Sequence, residues 1–421
     1  MTLHQILDTI AGVKHRAKWV LWIILTTIPP AGAWAALGKL GAMGDSLTDE
    51  YWDDGVSTYA TNWAQLVVIF RGVDMGPTAA QAGTNTWGEP RKAGYKYNWA
   101  RGGATTTTLL TQGQHTGLQS QAGSEGVSNA VLAIGPNDFN PSSTAYVNIY
   151  NGTWSPAQIQ AYVNQSISNI ETALATVRTA GISVALANVI DPGVAPLSVS
   201  LRPNAANRER VAVAVRSVNS GVKDLAQKYQ VPLMDWYGLA TAIFGPNTNL
   251  HSTISLGNVT INLRGSDPGP PNSAPTNAFV ADGFHPNTVI QSVLANLILQ
   301  AFDSRYGAGV ALFTEQEILS QALIAYGGSD TLQSQIGAYA NYILLPALPE
   351  FTGINVAGTN VALQFSTVSN QFYIVESKDD LGAGSWATVS NNVPGNGGIV
   401  ALTNRVPANL PQRFYRVRQL P

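Results

Sequence analysis

The chain of 421 residues is too long for one ordinary hydrophobic core, and its length predicts two domains plus processed or linking segments. Hydrophobic residues make up 45% and charged residues only 11%, so a sizeable core is available and the surface must be covered mainly by uncharged polar residues and glycine. A net charge of −2 gives no electrostatic case for a nucleic-acid partner, and the lack of cysteine excludes disulfides, cysteine zinc sites and a thiol nucleophile.

Residues 1–35 are predicted to be an export signal. A basic region from Lys14 to Lys18 precedes an apolar run from Trp19 to Ile28, and Ala33-Trp34-Ala35 supplies small residues where a signal peptidase cuts. The apolar run is too short to span a bilayer, which needs about 20 residues. A buried N-terminal helix is the alternative interpretation. The signal predicts a secreted or cell-envelope protein.

The stretch from Gly41 to Asp49 is predicted to end a buried strand and enter a tight turn that carries Ser46. Gly44 permits the sharp turn, and Asp45 and Ser46 can bond local backbone N–H groups and open a helix. A serine in that place has an exposed hydroxyl and a free N–H, which suits a nucleophile that also donates to a developing oxyanion. A plain helix N-cap without chemistry is the alternative.

Helices and strands alternate in the hydrophobic pattern between residues 62 and 236. The predicted helices are Asn62–Phe70, Ser155–Gly181 and 204–229, and the predicted buried strands are Val127–Ile134, Ile182–Ile190 and Val231–Trp236. Residues 72–97 are rich in Gly, Pro, Thr and Asn and are predicted to form a long loop that helps to shape a pocket. The alternation predicts a parallel sheet with helices on both faces.

The composition and hydrophobic pattern of the sequence change twice after residue 245. Residues 245–281 are proline-rich and are predicted to be loop, whereas an apolar helix is predicted from Asn287 to Phe302. Residues 314–345 carry two further helical stretches that complete the first domain. From about residue 350, short alternating runs between Asn and Gly turns are typical of a small all-β sandwich, and no internal repeat is evident.

One histidine has the neighbour that a general base requires. Asp282 precedes His285 by three residues, so that a carboxylate can reach one ring nitrogen while the other faces Ser46. His115 and His251 lack such a carboxylate. An ordinary turn histidine before a proline is the alternative for His285.

Three donors are candidates for an oxyanion hole: the N–H of Ser46, the N–H of Gly103 and the side-chain amide of Asn137. A plain turn at Gly102-Gly103 and a plain strand end at Asn137 are the alternatives. Either of these ordinary interpretations is expected when taken alone, but not both together. No pattern of histidines or carboxylates in the sequence indicates a metal site, and no cofactor is expected.

Four short motifs together resemble the GDSL serine esterases and lipases, also called SGNH hydrolases. The motifs stand in the order of that family: Gly44-Asp45-Ser46-Leu47, Asn98 to Thr106, Gly135-Pro136-Asn137-Asp138 and Asp282-Gly283-Phe284-His285. The resemblance implies an α/β fold, the flavodoxin-like three-layer α/β/α architecture, over residues 36–345. The serine lies outside a Gly-x-Ser-x-Gly motif, which is not what an α/β-hydrolase shows.

The same resemblance implies a role for each matching residue. It implies Ser46 as nucleophile, His285 as general base and Asp282 as the residue that orients the imidazole. It implies Ser46, Gly103 and Asn137 as the oxyanion hole, with Gly103 preferred over Gly102 from the position of the threonines that follow.

We therefore predict an exported hydrolase of short- to medium-chain acyl esters or lipids that works through an acyl-enzyme. A carbohydrate acetylesterase is one alternative, for which Trp52, Trp87 and Trp99 could stack on a sugar ring. A surface binding protein without catalysis is the other. Residues 350–421 are expected to form an accessory β-sandwich that contacts a glycan or the cell surface or only caps the enzyme.

Overall fold

The computed structural model of the chain describes residues 37–369, 371–382, 385–408 and 410–420. These residues divide into two compact units, with the boundary between Pro346 and Ala347. The export signal predicted for residues 1–35 lies outside the described residues.

A five-stranded sheet forms the centre of the larger unit, in the spatial order β1-β2-β3-β4-β8. Its strands are β1 (Leu40–Gly44), β2 (Asn129–Ala133), β3 (Ser183–Ala187), β4 (Leu233–Met234) and β8 (Ile343–Leu344). The first four run parallel, as predicted, and β8 adds an antiparallel edge. Gly44 pairs with Ala133 in register, so the loops that follow β1 and β2 leave the sheet side by side.

Twelve α-helices are described. They are α1 (Tyr51–Asp54), α2 (Trp63–Arg71), α3 (Thr106–Thr111), α4 (Gln114–Ser124), α5 (Thr144–Asn151), α6 (Pro156–Thr179), α7 (Pro196–Leu201), α8 (Ala205–Tyr229), α9 (Trp236–Phe244), α10 (Thr288–Tyr306), α11 (Glu315–Gln321) and α12 (Leu332–Ile336). None of these helices has both the length and the apolar character needed to cross a membrane.

The sheet separates two hydrophobic cores. Along β2, Ala130 and Leu132 belong to one core and Val131 and Ala133 to the other, because successive side chains of a strand point to opposite faces. Helices α4, α6 and α8 cover the first face, and α2, α9 and α10 cover the second. The predicted three-layer α/β/α architecture is confirmed.

The prediction of a loop over residues 245–281 is wrong. A small sheet occupies part of this range, with β5 (Thr253–Leu256), β6 (Val259–Ser266) and β7 (Asn277–Phe279). β5 and β6 form a hairpin around Gly257-Asn258, and the alternating apolar residues of β6 are buried at Ile261 and Leu263. The strand predicted over Val231–Trp236 is also shorter than expected, because Asp235 caps α9.

The smaller unit is a sandwich of two three-stranded antiparallel sheets. Its strands are β9 (Phe351–Ala357), β10 (Asn360–Ser366), β11 (Phe372–Lys378), β12 (Ala387–Pro394), β13 (Ile399–Arg405) and β14 (Phe414–Gln419). The sheets have the orders β13-β10-β9 and β12-β11-β14. Leu363 and Phe365 of one sheet and Tyr373 and Val375 of the other share a hydrophobic core, which confirms the predicted all-β sandwich.

Candidate active site

Ser46 lies in a tight turn directly after β1. The turn closes through the carbonyl of Asp45, which accepts the N–H groups of Thr48 and Asp49 at 2.9 Å each. Gly44 is required at the strand end, because a Cβ there would lie 2.5 Å from the carbonyl oxygen of Ala133. The expectation that Asp45 and Ser46 open a helix is wrong: α1 begins only at Tyr51, after the turn is complete.

Gln114 holds the backbone just before this turn. Its buried side-chain amide accepts the N–H of Gly44 at 2.9 Å and donates to the carbonyl of Gly44 at 3.1 Å. The side chain thus pairs with Gly44 as a neighbouring strand would. Sequence reasoning did not single out this residue, and its position at the start of α4 gives no signal of the contact.

Asp282 organises the loop between β7 and α10. Its Oδ1 accepts the N–H groups of Phe284 at 2.8 Å and His285 at 2.9 Å, and its Oδ2 lies 2.5 Å from Nδ1 of His285. Burial acts to raise the pKa of Asp282, but the hydrogen bonds from the imidazole and the two backbone amides outweigh it and leave the pKa below its usual value. The carboxylate is therefore ionised at neutral pH.

Ser46, His285 and Asp282 form one hydrogen-bonded row. Nε2 of His285 lies 2.7 Å from Oγ of Ser46, although 239 residues separate the two in the chain. The other two candidate histidines lie elsewhere: Nδ1 of His251 contacts the carbonyl of Ile243, and His115 lies on α4. Neither is a hydrogen-bond partner of Ser46.

The two glycines after Arg101 have different surroundings. The N–H of Gly102 donates to the carboxylate of Asp49 at 2.9 Å, whereas Gly103 has a φ of +74° and open space within 4 Å of the position that a Cβ would take. The N–H of Gly103 has no acceptor in the described part of the chain. Gly103 is therefore the better candidate donor, as expected, and its left-handed backbone explains why glycine stands there.

The side chain of Asn137 contacts the residue that follows Gly103. The side-chain amide of Asn137 donates to the carbonyl of Ala104 at 3.1 Å, which leaves its second N–H available. Asp138 supports the same loop, because its buried carboxylate accepts the N–H of Thr106 at 2.8 Å and the hydroxyl of Thr106 at 2.6 Å. The structure thus brings Ser46, His285 and Asp282 into contact, places Asn137 on the same cleft wall as Ser46, and sets Gly103 one residue before the carbonyl that Asn137 contacts.

A cleft opens beside Ser46. Most of its lining is apolar. Ser46 and Asn137 lie on its wall, and the aromatic members of the lining are Phe244, Phe279 and Phe284.

The sequence around these residues also matches a known family. The family model of GDSL-like lipases and acylhydrolases matches residues 40–298, which is more than half of the chain and includes all four motifs. The chain belongs to this family. It is accordingly a hydrolase that acts on ester bonds.

Solved structures similar to this GDSL hydrolase are distant in sequence. A GDSL-like lipase from Bacteroides thetaiotaomicron is 15% identical, with 63% of this chain and 88% of that chain covered and a TM-score of 0.34. A phospholipase A1 from Streptomyces albidoflavus is 17% identical over 64% and 100% of the chains, with a TM-score of 0.34. A mutant acetyl-xylooligosaccharide esterase from Geobacillus is 13% identical over 66% and 96%, with a TM-score of 0.35. No curated protein matches the sequence.

Asp45 of this GDSL hydrolase is buried next to the serine. Its Oδ1 accepts the N–H of Leu47 at 3.0 Å, whereas its Oδ2 has no partner among the described residues. Burial raises the pKa of Asp45 to about 7, and the N–H of Leu47 and the nearby His285 limit the rise. The buried site therefore favours the neutral carboxyl group more than water does.

Three carboxylates near the Gly102 loop lie close enough to hold a metal ion. One oxygen from each of Asp49, Glu50 and Asp53 falls within 4.8 Å of the others, a grouping that sequence reasoning missed. Each carboxylate already accepts backbone N–H groups: Asp49 from Gly102, Glu50 from Tyr95, and Asp53 from the chain at residues 93–94. These contacts give the cluster a structural role in shaping the 93–102 loop.

The tryptophans proposed for sugar stacking differ in their surroundings. The indole N–H of Trp99 donates to Gln121 and that of Trp87 to the carbonyl of Gly94, so both are engaged in loop packing. Trp52 is the exception, with 42% of its surface exposed. Two of the three tryptophans therefore serve in packing and are not free to stack on a sugar ring.

Proposed function

We propose that the chain hydrolyses carboxylic esters through an acyl-enzyme formed on Ser46. The observation that carries the proposal is the 2.7 Å contact between Oγ of Ser46 and Nε2 of His285, in line with the Asp282 carboxylate. A serine hydroxyl is a weak nucleophile until an adjacent base removes its proton, and this row supplies the base and its orienting partner.

The proposed reaction has two halves. Nε2 of His285 takes the proton of Ser46 while Oγ attacks the ester carbonyl, and the imidazolium then gives this proton to the leaving alcohol. A water molecule repeats the sequence on the acyl-enzyme, with His285 again as base, and releases the carboxylic acid and free Ser46. Asp282 keeps the proton on Nδ1 and stabilises the imidazolium in both halves.

Three N–H groups are proposed to hold the oxyanion of the tetrahedral intermediates. They are the N–H of Ser46, the N–H of Gly103 and the second side-chain N–H of Asn137. The last is supported by the contact of the first N–H with Ala104, which fixes the amide plane. A preorganised donor of this kind lowers the barrier by about 3–4 kcal/mol.

The apolar cleft favours acyl esters over acetylated carbohydrates as substrates. The acyl group stays attached to Ser46 after the first step, whereas the alcohol must leave before water enters, so a largely apolar cleft suits the acyl chain better. Each methylene buried there contributes about 0.8 kcal/mol, which is about fourfold in kcat/KM. An acetyl group carries no such methylene and gains nothing from an apolar lining of this kind, and two of the three tryptophans are committed to packing.

The decisive experiment combines a nucleophile variant with an ester series. Ser46→Ala is expected to abolish hydrolysis and phosphonate labelling, whereas the matched control Ser124→Ala, on the exposed face of α4, should retain both. On p-nitrophenyl esters, kcat/KM should rise about fourfold per methylene from acetate until the cleft is filled. Activity in Ser46→Ala would reject the mechanism. A maximum at acetate, with turnover of acetylated xylan, would instead favour the carbohydrate acetylesterase.

Export and the role of the sandwich also belong to the proposal. Secretion or envelope location rests on the signal predicted in residues 1–35, and N-terminal sequencing of the mature protein tests it. Contact of residues 350–421 with a glycan or the cell surface is tested by comparing the binding of full-length and shortened chains to insoluble polysaccharide.

A further inference from the structure

The segment from Tyr51 to Ala60 lies along the loop that carries Asp282 and His285. The hydroxyl of Tyr51 donates to the carbonyl of Pro286 at 2.8 Å. It also accepts the side-chain amide N–H of Gln291 at 2.6 Å. The rings of Tyr51 and His285 form a T-shaped pair, with 6.1 Å between ring centroids and 79° between planes.

A second tyrosine makes the corresponding contact at the other end of the same loop. The hydroxyl of Tyr59 accepts the N–H of Ala281 at 3.0 Å and donates to the carbonyl of Asp267 at 2.9 Å. One tyrosine hydroxyl therefore bonds the residue before Asp282, and the other bonds the residue after His285.

The two tyrosines pack in a small hydrophobic cluster that is separate from the main cores. Tyr51, Ala60 and Val280 are buried together, apart from the two cores that flank the sheet, and the ring of Tyr59 packs against them. The backbone N–H of Tyr51 donates to the side chain of Gln65 at 3.3 Å, which ties the segment to α2. The segment is thus anchored on one side to α2, through Gln65, and on the other to Val280 at the start of the loop.

We propose that Tyr51 and Tyr59, together called the tyrosine clasp, are positioning residues for the reaction assigned above, on which this inference rests. The clasp fixes both ends of the Asp282–His285 loop to the segment that follows the nucleophile. It acts through His285 and touches none of the reacting atoms. Its effect is to keep Nε2 within hydrogen-bond distance of Ser46.

Loss of either hydroxyl leaves two polar groups without their partner. In Tyr51→Phe these are the carbonyl of Pro286 and the amide of Gln291; in Tyr59→Phe they are the N–H of Ala281 and the carbonyl of Asp267. Such groups recover hydrogen bonds by shifting toward water, and the loop moves with them. A displacement of about 1 Å at a catalytic group costs about 100-fold in rate.

The test compares Tyr51→Phe, Tyr59→Phe and the double variant with Tyr306→Phe. Tyr306 is the matched control because its hydroxyl also donates to a backbone carbonyl, that of Val184, away from the site. We expect kcat to fall about 10-fold in each clasp variant and about 100-fold in the double variant, with KM within twofold and the melting temperature close to that of the control. The phosphonate labelling rate of Ser46 should fall in parallel with kcat, and the low-field proton resonance of His285 Nδ1–H should broaden or shift.

The outcomes separate this inference from the function that it presupposes. Clasp variants that match Tyr306→Phe in kcat and labelling, while Ser46→Ala is inactive, would overturn the clasp alone. Activity in Ser46→Ala would overturn the proposed function itself. A fall in kcat that merely follows a loss of folded protein, seen equally in the control, would also count against the clasp.

Discussion

Replacing Asp282 with asparagine tests the hydrogen-bonded row most directly. Asparagine keeps the shape of the side chain, and its oxygen can still accept the N–H groups of Phe284 and His285. The group facing Nδ1 then becomes an NH₂, which is a donor, so Nδ1 must become an acceptor. The proton of the neutral imidazole moves to Nε2, where it faces Oγ of Ser46.

An imidazole in this tautomer cannot accept the serine proton. In chymotrypsin-type serine proteases the same substitution lowers kcat by about 10⁴-fold. Asp282 is under the same constraint here, because one carboxylate oxygen faces Nδ1 and the other accepts backbone N–H groups, so we expect a similar loss. A factor of 10⁴ corresponds to about 5 kcal/mol of transition-state stabilisation.

The assay is kcat on p-nitrophenyl butyrate, with the melting temperature measured on the same samples. Asp303→Asn is the control, because Asp303 also accepts a backbone N–H, that of Gly309, far from the serine. The variant of Asp282 should remain folded and nearly inactive, and the control should keep wild-type activity. A kcat within tenfold of wild type in Asp282→Asn would refute the assignment of Asp282 as the residue that sets the tautomer.

Three further substitutions probe the surroundings of the serine. Asn137→Ala should lower kcat by about 10²- to 10³-fold with little change in KM or melting temperature; full activity would remove Asn137 from the oxyanion hole. Gln114→Ala should destabilise the fold by about 1–3 kcal/mol in denaturant titrations and lower kcat, because Gly44 loses both amide contacts, whereas the partly exposed Gln119→Ala on the same helix should do neither. The pKa of Asp49 is raised to about 8, mainly by burial and secondly by the neighbouring carboxylate of Glu50, although a guanidinium nitrogen of Arg101 lies 3.4 Å from its Oδ2. The folded state therefore holds this proton more tightly than the unfolded chain, so stability should fall as the pH rises from about 4 to 8; Asp49→Asn should flatten that fall, and a melting temperature that rises with pH across this range would contradict the shift.

Most residues of the candidate site could be predicted from the four sequence motifs. Gly, Asp, Ser, Asn and His in four short stretches impose local backbone geometry, and the ends of parallel strands necessarily meet at one edge of the sheet. That is why Ser46 and Asn137 could be placed near each other before any coordinates, whereas His285 follows β7 of the small sheet and was assigned from its spacing to Asp282 and from the family resemblance. The choice between Gly102 and Gly103 needed the structure to show that Asp49 already engages one of the two N–H groups.

The residues that sequence reasoning missed act across long separations in the chain. Tyr51 bonds a carbonyl 235 residues away, and Gln114 bonds a glycine 70 residues before it. The residues next to a tyrosine or a glutamine in the sequence do not indicate which distant group its side chain will contact. The β5–β6 hairpin is a different case: the alternation of Val259, Ile261 and Leu263 after a Gly-Asn pair was a readable strand signal, and the surrounding prolines masked it.

The separate cluster of Tyr51, Ala60 and Val280 has a consequence for how the enzyme fails on heating. The loop that carries Asp282 and His285 begins in this small cluster and contacts a main core through Phe284, and a region outside the main cores opens at a lower free energy than global unfolding requires. The Asp282–His285 loop should consequently unfold locally while the central sheet and its helices stay intact. Activity should then be lost at a temperature several degrees below the unfolding transition seen by circular dichroism. Cooling should restore the activity as long as the rest of the enzyme has remained folded.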